Sequence, residues 1–259
     1  MARYCFDTEP ASDFGALCDR MAGKPLQSPY RSTVPLLSLV EHSQANWRAL
    51  LTRLEAPNDA TIHFEYCVPS PKAGGNASQT DALIMSGSKV WGIETKWTEP
   101  RYETVASRIH KPEADGADPR KTVEGWLRNL QPFASRALQA DDFADAVYQT
   151  VHRAASACAV ATEKGLQPEL VYLHFHPSPL GSTATTEQYV ADLRHLRSLL
   201  GPTSGLGITV VQMTLEPTAA FKAIQGLNKR LKETADKVSA ALRGGPLFGF
   251  QPPELTAIP

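Results

Sequence analysis

The chain has 259 residues with 26 basic and 27 acidic side chains, and a net charge of −1 excludes a polycation that coats nucleic acid by charge alone. At 42% hydrophobic and 20% charged residues it reads as a globular domain, and no apolar run reaches the roughly 18 residues of a membrane span. Four cysteines (Cys5, Cys18, Cys67, Cys158) without C-x-x-C spacing argue against a zinc knuckle or a disulfide framework. With no signal-peptide core at the N-terminus, a cytoplasmic protein without a membrane partner is expected, and the Asn76-Ala-Ser78 sequon reads as a coincidence.

Pro10, Pro25 and Pro29 make the first 30 residues loop-like. Leu36, Leu37, Val40, Trp47, Leu50, Leu51 and Leu54 fall at helical spacing, so one helix is expected from Val34 to about Leu54. Thr61–Val68 alternates as a strand. A Pro/Gly loop from Pro69 to Ala77 follows, then two apolar runs around Ser86-Gly87-Ser88 that read as a hairpin. The polar stretch from Trp97 to Lys121, centred on Asp115-Gly-Ala-Asp118, reads as a long functional loop. Thr122 is an expected N-cap for a helix to about Leu138, interrupted at Pro132. Asp141 or Asp142 caps another to about Lys164, with Gly165 as its C′ residue. Glu169–His176 and Leu206–Leu215 read as strands around a helix over Thr186–Leu200. A final amphipathic helix from about Thr218 to Leu242 and a flexible Gly/Pro-rich tail over 244–259 close the chain. One α/β domain is expected, with its core over about 33–216.

The chemistry concentrates in Asp81 to Lys96. If Gly87-Ser88 is a two-residue type II′ loop, Ser86 lies opposite Lys89, Ile84 opposite Trp91, and Asp81 opposite Glu94. Facing carboxylates repel by up to about 1 kcal/mol, and a divalent cation between them turns that repulsion into a site. Lys96 shares the Glu94 face through the two-residue strand period, and Gly92 beside the acids leaves room for a ligand. Glu65 lies on the preceding strand and adds a further carboxylate if that strand neighbours the hairpin. Glu41 and Gln44 lie three apart on the first helix, and Gln149, His152 and Arg153 share a later one. His174 and His176 could bind zinc, but no third ligand is evident. A basic lip is a further candidate, from Arg101, Arg108, His110, Lys111, Arg120 and Lys121.

Asp81, a hairpin, and Glu94-Thr95-Lys96 resemble the PD-(D/E)XK nuclease superfamily, the restriction-endonuclease-like fold, with Thr80 where that family often carries proline. The Ser43-Gln44 element, Glu-x-Lys and the later Gln149/Arg153 helix are similar to a group of bacterial restriction-type endonucleases. The resemblance implies an αβββαβ core with a mixed sheet flanked by helices, and Mg²⁺ or Mn²⁺ held by Asp81, Glu94 and the Thr95 carbonyl. Lys96 would position or activate the attacking water; Glu65, Glu41, Gln44, Gln149 and Arg153 would be accessory. A metal-dependent endonuclease is therefore expected, with nucleic acid, DNA first, as its substrate and bacterial defence as its setting. A homodimer or a defence-system partner protein would suit that role. The rivals are an RNase or structure-specific nuclease, and a noncatalytic binding protein that keeps the fold.

Overall fold

The computed structural model describes residues 3–70, 77–111, 118–180, 183–229 and 231–259. Two short strands, β1 (Arg3–Phe6) and β2 (Glu9–Ala11), and a helix, α1 (Phe14–Met21), open the chain where a loop is expected. Pro10 is tolerated because β2 is an edge strand, and Pro25 falls in a 3-10 turn. The expected single helix is two, α2 (Thr33–His42) and α3 (Gln44–Arg53). They break at Ser43, whose backbone (φ −125°, ψ 55°) leaves the helical region. The strands β3 (Thr61–Val68), β4 (Ser78–Ser86) and β5 (Lys89–Lys96) form an antiparallel meander.

The stretch after β5 is not all loop. It holds α4 (Val105–Ile109), and α5 (Pro119–Leu130) starts earlier than expected, because Asp118 caps it and Pro119 fits its first turn. Next come α6 (Tyr148–Lys164), ended by Gly165 at φ 67°, then β6 (Gln167–His176), α7 (Thr186–Leu200) and β7 (Gly207–Pro217). α6 begins later than expected, since Asp141 and Asp142 lie in a 3-10 turn before it. The expected final helix is also two, α8 (Ala219–Ile224) and α9 (Lys232–Gly244), divided after Gln225 around Gly226.

The expected flexible tail instead forms strands β8 (Phe248–Phe250) and β9 (Glu254–Ala257). These share the outer edge of β7, with β9 on its first half and β8 on its last. Burial of Leu247, Phe248 and Ile258 anchors the segment, which a Gly/Pro count does not register. Asn76 of the sequon and Asp115 lie outside the described residues.

The result is a mixed nine-stranded sheet in the order β2-β1-β3-β4-β5-β6-β7-β8, with β9 also on β7. β5, β6 and β7 run parallel to one another. One apolar layer joins the sheet to α1, α2, α3, α8 and α9 through Leu17, Leu37, Trp47, Trp91 and Val238. The other joins it to α4, α5, α6 and α7 through Val105, Trp126, Ala154, Tyr172 and Leu193. No helix among the described residues is long and apolar enough to cross a membrane.

Candidate functional site

The β4–β5 turn has positive φ at Gly87 (57°) and not at Ser88, as a type II′ turn demands. Register follows from it: Ser86 pairs with Lys89 and Ile84 with Trp91. The ladder stops at Ala82–Ile93, one step short of Asp81 and Glu94. There the Asp81 side chain takes over as acceptor. Its Oδ2 receives the Thr95 amide and the Thr95 hydroxyl, each at 2.7 Å. Thr95 thus meets Asp81 through two donors that the spacing did not suggest.

Glu94 and Lys96 point to the α6 side and are both 2% exposed. Glu94 Oε1 accepts from Lys96 Nζ at 2.6 Å and from Gln149 Nε2 at 2.9 Å. Arg153 Nε stands 2.5 Å from Glu94 Oε2 as a buried ion pair, and Glu94 holds the guanidinium above its ordinary range. Arg153 Nη1 donates to Ser78 Oγ at 2.7 Å. Gln149 and Arg153 thus both meet Glu94. One helical turn of α6 presents both to the sheet. This close approach depends on Gly92, where an added Cβ would stand 3.2 Å from Ala157 Cβ on α6. The space at Gly92 is therefore filled by a helix, not kept for a ligand.

Glu65 joins the same group. The β3–β4 ladder pairs Phe64 with Ala82 and Tyr66 with Thr80, but omits the Glu65–Asp81 step between them. Glu65 has φ 52°, an uncommon conformation for a non-glycine residue, which interrupts the strand at the acids. Burial first, then Asp81 and Glu94, push the Glu65 carboxyl up to about 8, against the opposing pull of Arg153 and Arg31. Asp81 is pushed up to about 6 by burial and Glu94, with Lys96, Arg153 and the Thr95 amide pulling the other way. Burial would lower the Lys96 ammonium, but Glu94, Glu99 and Asp81 outweigh it and keep Lys96 above its ordinary range.

Glu99, given no role from the sequence, braces this end of β5. Burial would raise its carboxyl, yet Lys96 and hydrogen bonds from Trp97 and Ser32 hold it below the ordinary range. It accepts the amides of Ser32, Trp97 and Thr98. Tyr102, whose ring centre lies 5.1 Å from Lys96 Nζ, and Tyr172, at 6.0 Å, were also not singled out. Only their position in the fold identifies them.

Other expected members are elsewhere. Glu41 accepts from Tyr4 at 2.8 Å, and Gln44 donates to the carbonyls of Val40 and Glu41. They sit on separate helices because the chain breaks at Ser43, and both helices pack in the opposite layer. His152 packs on Trp126 and Tyr148, where burial and Arg153 hold it well below the usual imidazole range. His174 shares a hydrogen bond with Thr186 at 2.7 Å, and His176 with Thr214 at 2.7 Å.

The expected basic lip is internally paired: Arg101 with Asp192, Lys111 with Glu103, Arg120 with Asp141, and Lys121 with Asp118. His110 bonds the Ala106 carbonyl, and Arg108 stacks on Tyr148. A surface cavity of about 300 Å³ opens beside Arg120, Leu127 and Leu138, and its lining includes none of the residues of β3, β4 or β5.

Glu65, Asp81 and Glu94 offer oxygen ligands of the kind hard divalent cations take. Among the described residues no three His, Cys, Asp or Glu side chains stand together as a ready cation site. Asp81 is turned to Thr95, and Glu94 to Lys96, Gln149 and Arg153. The carboxylate oxygens are of the kind a hard cation takes, but Glu94 Oε2 is already met by the Arg153 guanidinium, which a bound cation would have to displace or share.

Fold and site define an α/β protein with acidic residues beside a lysine and an arginine on the central strands β3, β4 and β5 of a mixed sheet. The model of a domain family of unknown function, DUF6946, matches residues 17–219, and the chain belongs to that family. The matched span holds every residue of this cluster. No curated protein and no solved structure matches the chain.

Proposed function

We propose that the protein is a metal-dependent phosphodiesterase of the restriction-endonuclease-like class, acting on nucleic acid, DNA first. One observation carries the reading: Glu65, Asp81 and Glu94 share one sheet face with Lys96 closely enough to act on one another's charge, and burial with mutual repulsion keeps Glu65 and Asp81 from ionising at their ordinary pH. Such repulsion disfavours the empty protein and favours a cation. The element order supports the reading. α3, the β3–β4–β5 meander, α6, and β6 parallel to β5 follow the αβββαβ succession that the resemblance implies.

Glu65, Asp81 and Glu94 would hold Mg²⁺ or Mn²⁺, and the bound ion would supply Lewis-acid polarisation of a phosphoryl oxygen and an acidified water. The chain's own part is positional. Lys96, charged and buried, places a fixed positive charge where negative charge develops on the phosphate, without reorganising water. Arg153 and Gln149 fix the Glu94 carboxylate, and Thr95 fixes Asp81.

A second reading has its own support. Glu94 is already met by Lys96, Gln149 and Arg153, as in a protein that keeps the fold for binding alone. The two separate in one experiment. Supercoiled plasmid, linear duplex, single-stranded DNA and RNA are each incubated with the protein in Mg²⁺, Mn²⁺ or EDTA, alongside Asp81→Ala/Lys96→Ala. Metal-dependent cutting by the wild type alone supports the nuclease. Binding without cutting under every condition supports the second reading.

A further inference from the structure

Among the described residues around the acidic cluster, the buried Tyr172 hydroxyl has no hydrogen-bond partner, while Glu94 Oε2 and Arg153 Nε, 2.5 Å apart, answer each other. Tyr172 is 1% exposed and is the register partner of Glu94 in the β5–β6 ladder, so the two side chains leave the sheet on the same face. Lys96 Nζ lies 6.0 Å from its ring centre, and Tyr189 of α7 packs against it at 5.8 Å.

Packing does not account for the hydroxyl. Phenylalanine would fill the same volume without burying an unpaired polar group, which costs stability. A buried donor without a partner, beside an acid cluster and a lysine, awaits an acceptor from outside the chain.

We propose that the Tyr172 hydroxyl donates a hydrogen bond to a non-bridging oxygen of a bound phosphodiester, making Tyr172 a substrate-contacting residue of this site. The inference rests on the phosphodiesterase reading, but its test also has readouts free of cleavage. Burial above all, and then Glu94, hold the phenol well above its ordinary range. It therefore stays a donor throughout the pH range in which nucleic acids are handled. No bond is made or broken at Tyr172; the hydroxyl keeps its proton.

The test is Tyr172→Phe in the full chain, read in three ways. Thermal unfolding without ligand should show equal or higher stability, since the variant removes an unpaired polar group. Binding of inorganic phosphate in the presence of Mn²⁺, by calorimetry, should weaken about tenfold, the equivalent of one hydrogen bond. If the wild type cuts DNA, kcat/KM should fall by a similar factor. A destabilised variant with unchanged phosphate affinity would mean that the hydroxyl has a structural partner such as a buried water, and would overturn the proposal. So would a wild type that binds no phosphate. If phosphate binding weakens as expected while neither protein cuts any nucleic acid, the Tyr172 contact stands and the nuclease reading falls.

Discussion

Glu65 and Asp81 occupy the one step at which the β3–β4 ladder is interrupted, while the pairs on either side, Phe64–Ala82 and Tyr66–Thr80, keep a single register. No residue is inserted there. Glu65 instead takes a left-handed backbone (φ 52°), at a cost on the order of 1–3 kcal/mol, and both acids are left among repelling charges. Strain and charge repulsion thus coincide at this one step of the ladder.

The first prediction concerns pH. The folded protein keeps protons on Glu65 up to about 8 and on Asp81 up to about 6, whereas the unfolded chain releases them near the ordinary carboxylate values. Because the native state binds more protons in that window, metal-free stability should fall as pH rises from about 4 to about 8. Glu65→Gln should flatten the upper part of the fall and Asp81→Asn the lower part. Melting temperatures measured at half-unit pH steps in EDTA check this, and parallel curves for all three proteins would refute the assignment.

Metal should act in the opposite sense. A cation that binds the ionised cluster competes with protons, so Mn²⁺ should raise the melting temperature more at pH 8 than at pH 6. At a hundred times its dissociation constant it would add about 2.7 kcal/mol. Scanning fluorimetry with Mn²⁺ and with EDTA measures it. An equal rise at both pH values would speak against carboxylate ligands.

Lys96→Met should abolish cleavage and also destabilise the fold. Lys96 is one of two cations on the buried Glu94. With Arg153 and Gln149 still in place, its removal should cost less than stranding a lone buried charge, which costs about 3–5 kcal/mol. The double variant Lys96→Met/Glu94→Gln should recover part of that loss without recovering activity. Denaturant midpoints that show no recovery in the double variant would contradict the pairing.

Gly92→Val should push α6 away from β5, because even a Cβ at Gly92 meets Ala157 at 3.2 Å. Overpacking of this kind costs about 1–3 kcal/mol and would displace Gln149 and Arg153 from Glu94. Ala157→Gly should restore part of the stability in a double-mutant cycle. Strictly additive effects would show that the two positions do not touch.

The hairpin around Gly87 and the shared face of Glu94 and Lys96 were legible in the sequence because strand period and turn chemistry act locally, whereas Glu65 joins them only through the pairing of β3 with β4. Gln149 and Arg153, four apart on one helix, were legible too. The first helix misled: apolar spacing runs through Ser43 unbroken, but the chain turns there, and both resulting helices pack on the sheet face opposite the acids, taking Glu41 and Gln44 with them. The C-terminal strands were missed because their partner, β7, is distant in sequence and Gly/Pro content masks the burial of Leu247, Phe248 and Ile258. Asp81 was placed correctly along β4. Its turn toward Thr95 depends on the ladder ending at Ala82, which no local pattern encodes.

The most direct test of a metal-dependent nucleic-acid phosphodiesterase is conversion of supercoiled plasmid to nicked or linear DNA in Mn²⁺ or Mg²⁺. Wild type is compared with Glu65→Gln, Asp81→Asn and Glu94→Gln, each first shown to fold by its melting curve. The account predicts cutting by the wild type, none in EDTA, and a loss of at least about a hundredfold in each variant. A folded wild type that leaves plasmid, single strands and RNA intact with either metal, or variants that cut as well as it does, would contradict it.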